Sequence, residues 1–221
     1  MSGVDEEGTE TTGVLRERLL TDAPALVDYL RDHLPRLSAP PSSGASAGRA
    51  AAVLAPLYSL SGRPYLILTQ RARQLRAHSG EISLPGGARD PGDESLLATA
   101  LRESHEELAL AVELVEALGA LPPVFSVVSN FLVAPFVGWL GEGTPALQPN
   151  AQEVAEVIYA PLRELANPAI FHEEIWTRGG LEHTIYFFDL GPHRIWGLTG
   201  RILRSLLATL PGDPLPPMPP V

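Results

Sequence analysis

Three glutamates close together on one predicted helix are the residues of this chain best suited to chemistry. The segment Gly86–Leu110 reads GGARDPGDESLLATALRESHEELAL, a glycine-rich turn followed by a helix that carries Glu103, Glu106 and Glu107. Residues three and four apart share a helix face, so Glu103 lies beside the other two. Close carboxylates raise one another's proton affinity unless a cation sits among them. Oxygen ligands without cysteine or histidine neighbours suit Mg²⁺ or Mn²⁺.

A plainer interpretation of the same glutamates is a solvated helix face, where clustered acids usually lie. Two features favour a site over this alternative. Gly86, Gly87 and Gly92 precede the helix, and glycines let the backbone approach a ligand closely. The helix also has an apolar stripe that can pack against the core, which leaves its acidic side available to bind a ligand. The stripe consists of Leu96, Leu97, Ala100, Leu101 and Leu108.

The segment resembles the Nudix box, whose pattern is glycine, five residues, glutamate, seven residues, then Arg-Glu-apolar-x-Glu-Glu-x-Gly-apolar. Residues Arg102–Leu110 fill the second half of this pattern. The first half is one residue longer, because six residues separate Gly87 from Glu94, and Asp93 is the alternative occupant of the first acidic position. The extra residue lies in the loop before the helix, where an insertion costs little.

Two helix positions depart from the Nudix box. Ser104 stands where the pattern has an apolar residue, and Ala109 stands where it has glycine. A glycine there lets the chain leave the helix in the left-handed conformation, which alanine adopts at a cost of about 1 kcal/mol. We therefore expect a slightly different helix exit at Ala109, with the carboxylates kept in place.

The residues just upstream resemble the signature of the Nudix coenzyme A pyrophosphatases, roughly LLT-x-R-x-x-x-LR-x-H-x-G-x-[IV]-x-FPGG-x-x-D. The matching segment, Leu66–Asp90, reads LILTQRARQLRAHSGEISLPGGARD. Ile195–Leu203 also resembles the closing helix of that subfamily, so the resemblance spans about residues 23 to 210. The fixed positions of the signature are filled by Arg71, Leu75, Arg76, His78, Gly80, Pro85, Gly86, Gly87 and Asp90.

The resemblance implies an α/β/α sandwich of mixed α and β structure, with a mixed β-sheet between helices. It also implies a hydrolase of phosphorus-containing anhydrides that depends on Mg²⁺ or Mn²⁺. The reaction would split the diphosphate bond of coenzyme A, or of its acyl or oxidised derivatives, into adenosine 3′,5′-bisphosphate and 4′-phosphopantetheine. Two alternatives stay open: the same chemistry on NADH, ADP-ribose or another nucleoside diphosphate derivative, and a non-catalytic nucleotide-binding module.

The resemblance also implies roles for the helix residues. Glu103, Glu106 and Glu107 would hold the metal ion. Arg102 would be a buried partner that anchors one of these glutamates or the preceding loop through bidentate bonds. Because Arg102 lies about 100° around the helix from Glu103, the two are not expected to share one side.

The general base is left open between three acids. Glu103 is the candidate on the helix, whereas Glu153 and then Glu156 are the candidates from a later loop and strand. Arginines suit a substrate with a diphosphate and a 3′-phosphate, and glycine N–H groups suit a phosphate. The residues predicted to bind the substrate are Arg71, Arg76, His78, Gly86 and Gly87.

The composition restricts partners and location. The 221 residues carry a net charge of −10, which argues against a nucleic acid partner. The absence of cysteine excludes disulfides and thiolate chemistry. The apolar run Phe131–Leu140 is too short to span a membrane, and the acidic start does not resemble a signal peptide. We expect a cytoplasmic protein that acts on a small molecule.

The chain organisation suggests one domain over residues 22–210. Residues 1–21 are expected to form a disordered tail, and residues 211–221 a proline-rich tail. A helix over Asp22–Leu37, capped by Asp22 or Thr21, precedes a small-residue linker that ends at Arg49. The apolar face of this helix is a candidate dimer surface, so a homodimer is one open state of assembly.

The remaining pattern predicts strands and helices that do not alternate regularly, which disfavours a doubly wound parallel sheet. Hairpins are expected around Ser61–Pro64 and around Gly179–Gly180. Helices are expected over Asp93–Leu108, Pro161–Ala166 and Leu198–Leu210. The predicted strands are Ala50–Leu60, Tyr65–Gln70, Val112–Leu121, Phe131–Leu140, Glu153–Tyr159, Glu173–Thr177 and Thr184–Asp189.

Overall fold

The computed structural model describes residues 11–35, 49–72, 80–126 and 128–218. These residues form five α-helices: α1 (Thr12–Thr21), α2 (Ala23–His33), α3 (Leu96–Leu108), α4 (Leu162–Leu165) and α5 (Gly197–Ala208). They also form eleven strands: β1 (Arg49–Leu60), β2 (Arg63–Arg71), β3 (Ile82–Ser83), β4 (Gly86–Ala88), β5 (Glu116–Ala120), β6 (Val124–Ser126), β7 (Phe131–Glu142), β8 (Val154–Pro161), β9 (Phe171–Arg178), β10 (Leu181–Leu190) and β11 (His193–Trp196).

The larger of two sheets has the strand order β3-β2-β1-β7-β5, with β4 paired to β1, β6 to β7 and β8 to β2. Strands β1 and β7 run parallel over most of their length, whereas the other pairs are antiparallel. The sheet is therefore mixed, as predicted. The smaller sheet, β11-β10-β9, is antiparallel.

Alternation of side chains along the central strands builds two apolar layers. In β1, Ala55 and Leu57 face a cluster that contains residues of α1, α2 and α5, whereas Leu54 and Tyr58 face a second cluster that contains residues of α3. All four side chains are at most 1% exposed. Successive strand residues point to opposite faces, so one strand can serve both layers. The sheet is thus covered by helices on both faces, and the expected sandwich is confirmed.

Both predicted hairpins are present. The turn between β1 and β2 places Ser61 and Gly62 at φ +53° and +74°, and Gly179 and Gly180 adopt φ +61° and +80° between β9 and β10. Two consecutive residues with positive φ match the right-handed twist of the paired strands. The strand predicted to begin at Val112 begins later, at Glu116, after a short 3₁₀ turn.

The N-terminal boundary of the fold lies earlier than predicted. Residues 1–10 lie outside the described residues, but Thr12–Thr21 form helix α1 instead of belonging to a tail. Leu19 and Leu20 of α1 are buried in the core, and Arg16 donates to the carbonyl oxygens of Leu207 and Leu210 at 3.3 Å. The prediction failed because this helix is held by contacts with distant residues.

The proline-rich C-terminal segment is also attached, through residue 218, where the described residues end. Asp213 accepts from Arg16 of α1 at 3.3 Å and from Arg204 of α5 at 2.5 Å. Arg204 further donates to the carbonyl oxygen of Leu215, whose side chain is buried. The segment forms neither helix nor strand, as its prolines predict, but it is not a loose tail because two buried arginines bind it.

Helix α2 corrects the predicted dimer surface. Asp22 caps the helix by accepting from the N–H of Ala25, as predicted. However, Leu26, Val27 and Leu30 are at most 4% exposed, because the apolar face of α2 packs into the core. That face is not available to a second copy. The predicted linker after α2 lies outside the described residues, and no helix within the described residues could cross a membrane.

Candidate functional site

The acidic helix α3 starts three residues later than predicted. Ser95 is its N-cap and accepts from the N–H of Ala98 at 3.1 Å, so the helix begins at Leu96 and its first turn contains no acid. Asp93 was predicted to be the first residue of this helix. Instead it lies outside the helix, and its carboxylate is directed at an arginine of the second turn.

Arg102 connects the loop before α3 to the acidic face of the helix. Its guanidinium binds Asp93 with two bonds of 3.0 and 3.2 Å and donates to the carbonyl oxygen of Ala88 in β4 at 3.2 Å. It also contacts Glu103 at 2.9 Å and Glu106 at 3.0 Å. The expectation that Arg102 and Glu103 do not share a side was wrong, because the long arginine side chain reaches around the helix.

Asp93, and not Glu94, occupies the structural position that the sequence left open. Asp93 is buried, and its Oδ2 also accepts from the Thr99 hydroxyl at 2.8 Å and from the N–H of Asp90 at 2.9 Å. Hydrogen bonds from Arg102 are the largest cause of the lowered pKa of Asp93. Glu94 is exposed. The inserted residue therefore shifts the acid by one position and preserves its contact with the helix.

We expect the Asp93→Asn variant to lose about 2–3 kcal/mol of unfolding free energy, since Arg102 would lose its charged bidentate partner. Turnover should also fall, because Arg102 would no longer be fixed beside Glu103 and Glu106. Urea denaturation and steady-state kinetics measure both effects. The Glu94→Gln variant is the matched control and should change stability by less than about 0.5 kcal/mol. Equal effects of the two substitutions would contradict the assignment.

Gly87 of β4 makes room for the Glu103 carboxylate. A Cβ atom at Gly87 would lie 2.5 Å from Cδ and Oε2 of Glu103, closer than real atoms approach. Only a glycine therefore lets this carboxylate rest against the β4 backbone. Burial is the largest cause of the raised pKa of Glu103, and the charges of Glu106 and Glu153 add to it. Burial, more than the repulsion expected between the acids, raises the proton affinity.

Glu107 is the most deeply buried of the three helix glutamates, at 3% exposure. The Gly86 backbone N–H donates to its carboxylate, and the Arg71 guanidinium lies 3.9 Å from its Oε1. Burial raises the pKa of Glu107 to about 8 despite these contacts. Its Oε2 atom and the Nε atom of Arg71 are buried without a hydrogen-bond partner. These unpaired polar atoms could bind a ligand or a water molecule.

Glu153 lies with Glu103 and Glu107, whereas Glu156 does not. The charge of Glu153 acts on both helix carboxylates and contributes to their raised pKa values. Glu156 instead lies 3.6 Å from His193 of β11. The structure therefore brings Glu153, and not Glu156, to the end of α3.

Asn150 is a residue of this site that sequence reasoning missed. Its side-chain amide donates to Glu153 Oε1 at 3.2 Å, and its backbone N–H donates to the Glu107 carbonyl oxygen at 2.8 Å. The Asn150 side chain also accepts from the N–H of Gln152, which closes an Asx turn. Asn150 thus ties the turn that bears Glu153 to the end of α3. The sequence signal for it was an Asn-Ala-Gln-Glu turn, which is weak alone.

The two departures from the box pattern are accommodated locally. Ser104 is fully buried, and its hydroxyl donates to the Ala100 carbonyl oxygen at 2.7 Å, so that a polar residue fits an apolar position. Ala109 adopts φ +52° and ψ +32°, the left-handed conformation that glycine would favour. The expectation of a different helix exit was wrong, because Ala109 adopts the left-handed conformation despite its steric strain.

We expect the Ala109→Gly variant to gain about 0.5–1 kcal/mol of unfolding free energy, because glycine adopts positive φ without strain. Thermal or urea denaturation measures the gain. Ala98→Gly is the matched control, because Ala98 lies inside α3 with helical backbone angles. This variant should lose about 0.5–1 kcal/mol of unfolding free energy. A loss at both positions would contradict the strain at Ala109.

The carboxylates of the candidate site have the chemistry of metal ligands, but they are not arranged as a complete metal site. Within the described ranges, no three His, Cys, Asp or Glu side chains form a ready metal site, since Glu103 and Glu106 are turned toward Arg102. The donor set nevertheless fits a hard cation: carboxylate oxygens, one of them orphaned on Glu107, and a glycine that leaves space. Two predicted substrate ligands, Arg76 and His78, lie outside the described residues.

The helix-covered mixed sheet and the glycine-lined acidic helix define a protein with a carboxylate cluster suited to a hard cation. A model of the NUDIX domain matches residues 48–178 of the chain. The uncharacterized Nudix hydrolase NudL of Photorhabdus laumondii is 38% identical over 182 residues, covering 82% of this chain and 96% of the relative. The NudL protein of Enterobacter sp. (strain 638) is 42% identical over 160 residues, covering 72% and 81%.

Similar solved structures are more distant. A MutT/nudix family protein from Enterococcus faecalis has a TM-score of 0.47 at 19% identity, covering 87% of this chain and 70% of that one. The Nudix hydrolase RenU from M. smegmatis has a TM-score of 0.46 at 23% identity, covering 54% and 74%. On the domain match and the NudL relatives, the chain belongs to the Nudix family. Its hydrolases cleave anhydrides in nucleoside diphosphate derivatives and generally use divalent cations such as Mg²⁺ or Mn²⁺.

Proposed function

We propose that this Nudix protein hydrolyses the diphosphate bond of coenzyme A or its derivatives, giving adenosine 3′,5′-bisphosphate and 4′-phosphopantetheine. The observation that carries the proposal is the position of Arg71. This first arginine of the coenzyme A signature ends β2 beside Glu107, with its Nε unpartnered. A guanidinium at the acidic helix end suits a substrate with several phosphates.

Residues 73–79, which include the other basic residues of the signature, lie outside the described residues, but the residues on either side of them are bonded at this site. The Ala72 N–H donates to the Glu153 carbonyl oxygen at 2.8 Å, and the Gly80 N–H donates to the Arg71 carbonyl oxygen at 3.1 Å. Gly86 and Gly87 of the signature border the Glu107 and Glu103 carboxylates. The described parts of the signature therefore meet the Nudix box at one end of β2, which supports a common ligand.

Glu103, Glu106 and Glu107 are the proposed ligands of Mg²⁺ or Mn²⁺. A bound divalent cation supplies two things to such a reaction: a lower pKa for water and neutralisation of charge on the diphosphate. A bound cation would share the Glu103 and Glu106 carboxylates with Arg102, which contacts them at 2.9 and 3.0 Å. The oxygen of water would attack one phosphorus of the diphosphate, and the bridging oxygen would leave with the other product.

Glu153 is the proposed proton acceptor for this water. It is half-buried next to Glu103 and Glu107, and the amide of Asn150 holds one of its oxygens at 3.2 Å. Its other oxygen can accept a proton without breaking that bond. Glu103 is less suited because it is a proposed metal ligand, and its Oε1 also accepts from Arg102 at 2.9 Å. Glu156 is less suited because it faces His193.

Mass spectrometry of the products after incubation with coenzyme A, with and without Mg²⁺, tests the proposed function. We expect metal-dependent formation of 4′-phosphopantetheine that is lost in the Glu106→Gln and Glu107→Gln variants. Glu113→Gln changes an exposed acid outside the site and is the matched control. Glu153→Gln should lower turnover strongly, whereas Glu156→Gln should not.

The substrate is tested by comparison among related diphosphates. Arg71→Gln should raise KM for coenzyme A, whereas Arg194→Gln, which changes an exposed arginine of the smaller sheet, should not. Faster turnover of NADH or ADP-ribose than of coenzyme A would move the assignment to another nucleoside diphosphate derivative. Binding of coenzyme A without any product would instead support the non-catalytic module.

A further inference from the structure

Strand β9 forms an open edge of the smaller sheet. It pairs with β10 on one side, and among the residues that the structure describes no strand pairs with its other side. The eight residues of β9 contain no proline, and Glu173–Arg178 are all exposed. Ile175 is 67% exposed and Trp176 is 43% exposed. An exposed strand edge with apolar side chains is a template for pairing with another strand.

The pairing with β10 determines which side chains share a face. Glu174, Trp176 and Arg178 lie on one face of β9, whereas Ile175 and Thr177 lie on the other. The Trp176 indole donates to Glu174 at 2.6 Å and packs against Trp196 with ring centroids 5.7 Å apart. The Trp176 side chain is thus held in place at the edge.

Charges on an edge strand usually prevent pairing, but Glu174 and Arg178 of β9 have opposite signs and a spacing that is self-complementary. In an antiparallel pair of two β9 strands with the two-fold axis at Trp176, Glu174 lies opposite Arg178 of the second copy. Ile175 then lies opposite Thr177 of that copy. Opposite charges that face each other across strands stabilise the pair. This order of residues indicates that a second copy of the chain is the partner that fits the open edge of β9.

The neighbouring registers are less favourable. A two-fold axis at Glu174 would place two glutamates opposite each other, and like charges in that position destabilise a pair. An axis at Ile175 would leave Glu174 opposite Trp176 and Arg178 opposite His172, without a carboxylate partner for the arginine. Axes between residues would pair side chains of different faces. Of these axes, only the one at Trp176 places Glu174 opposite Arg178; Glu173, on the other face of the strand, then lies opposite Gly179 of the second copy.

We propose that β9 pairs antiparallel with β9 of a second copy, with the two-fold axis at Trp176. The two three-stranded sheets would then form one six-stranded sheet across the dimer. Backbone hydrogen bonds along the edge supply the attraction, and the Glu174–Arg178 pairs fix the register. The proposal does not depend on the substrate of the enzyme.

Cysteine cross-linking tests the register directly, because the natural chain contains no cysteine. Directly opposite residues have Cα atoms about 4.5 or 5.5 Å apart, within the range of about 4.4–6.8 Å that a disulfide spans. The Trp176→Cys variant should therefore form a disulfide-linked dimer under mild oxidation. The Thr177→Cys variant is the matched control and should not, because Thr177 faces Ile175 of the other copy. Cross-linking of Thr177→Cys but not of Trp176→Cys would overturn the proposal.

A charge exchange provides a second measurement that keeps Trp176. By analytical ultracentrifugation, the natural protein should show a monomer–dimer equilibrium. Glu174→Arg or Arg178→Glu alone should weaken the dimer roughly tenfold or more, and both together should restore it. Glu113→Arg, an exposed acid outside β9, should have no effect. A single-chain mass at every concentration would overturn the proposal, as would a dimer that neither single exchange weakens.

Discussion

Replacing Asp213 with asparagine is expected to lower the free energy of unfolding by about 3–5 kcal/mol. Asp213 lies between the guanidinium groups of Arg16 and Arg204, whose side chains are only 8% and 2% exposed. Without its negative charge, these two buried cations would lose the carboxylate that both of them contact. Arg204 is especially sensitive, since its Nε already lacks a hydrogen-bond partner. Urea denaturation followed by tryptophan fluorescence measures the loss.

An exposed ion pair provides the control for Asp213. Glu17 and Arg163 approach to 2.6 Å, but both side chains are more than half exposed. Glu17→Gln should therefore cost at most about 1 kcal/mol. Adding Arg16→Met to Asp213→Asn should cost less than the sum of the two single losses, because one uncompensated cation is removed. A loss below about 1 kcal/mol for Asp213→Asn would show that the carboxylate does not hold the termini together.

The Arg16–Asp213 contact illustrates what the sequence could not reveal. The core strands and α3 were predictable, because their apolar residues repeat with the period of a strand or a helix. Helix α1 and the proline-rich segment bear no such local signal of attachment. They are fixed by a contact between residues almost two hundred positions apart in the chain. Local patterns do not encode such a pairing, so the sequence alone predicts both segments as tails.

In the candidate site, too, the sequence predicted the contacts that helix spacing determines but not those that depend on the path of a loop. The helix spacing predicted that Glu103 and Glu107 would be neighbours, and in the structure the charge of Glu103 contributes to the raised pKa of Glu107. The choice between Asp93 and Glu94 depended on the path of a loop with one extra residue, which spacing alone does not define. The bonds of Asp93 to Arg102 decide it. The contacts of Asn150 were likewise hidden, since they join a loop to the far end of a helix.

Replacing Glu107 with glutamine is expected to abolish most turnover while leaving the protein folded. The variant keeps the shape of a side chain that is 3% exposed but removes the charge. If Glu107 is a cation ligand, kcat should fall on the order of 100-fold or more, the size of effect that one lost electrostatic group has at a reacting centre. Glu113→Gln serves as the control of unchanged activity and stability.

The stability of Glu107→Gln distinguishes a functional charge from a structural one. Burial raises the pKa of Glu107 to about 8, above the ordinary value near 4.3 for an unfolded chain. The folded protein therefore holds this proton more tightly, and in the absence of metal its stability should decrease as the pH rises from about 4.3 to about 8. Glutamine does not ionise, so the variant should lose less stability than the natural protein between pH 5 and pH 8.

Added Mg²⁺ should stabilise the natural protein more than the Glu107→Gln variant at pH 8. A cation that binds only the folded state stabilises it, so the melting temperature of the natural protein should rise with Mg²⁺ concentration. The Glu107→Gln variant should show little or no such rise, because its neutral amide is a poorer ligand for a hard cation. A variant that is less stable than the natural protein in metal-free buffer at pH 8 would indicate that the Glu107 charge, held by Arg71 and the Gly86 N–H, serves the fold. The opposite result would indicate that the fold tolerates a buried charge here because a bound cation requires it.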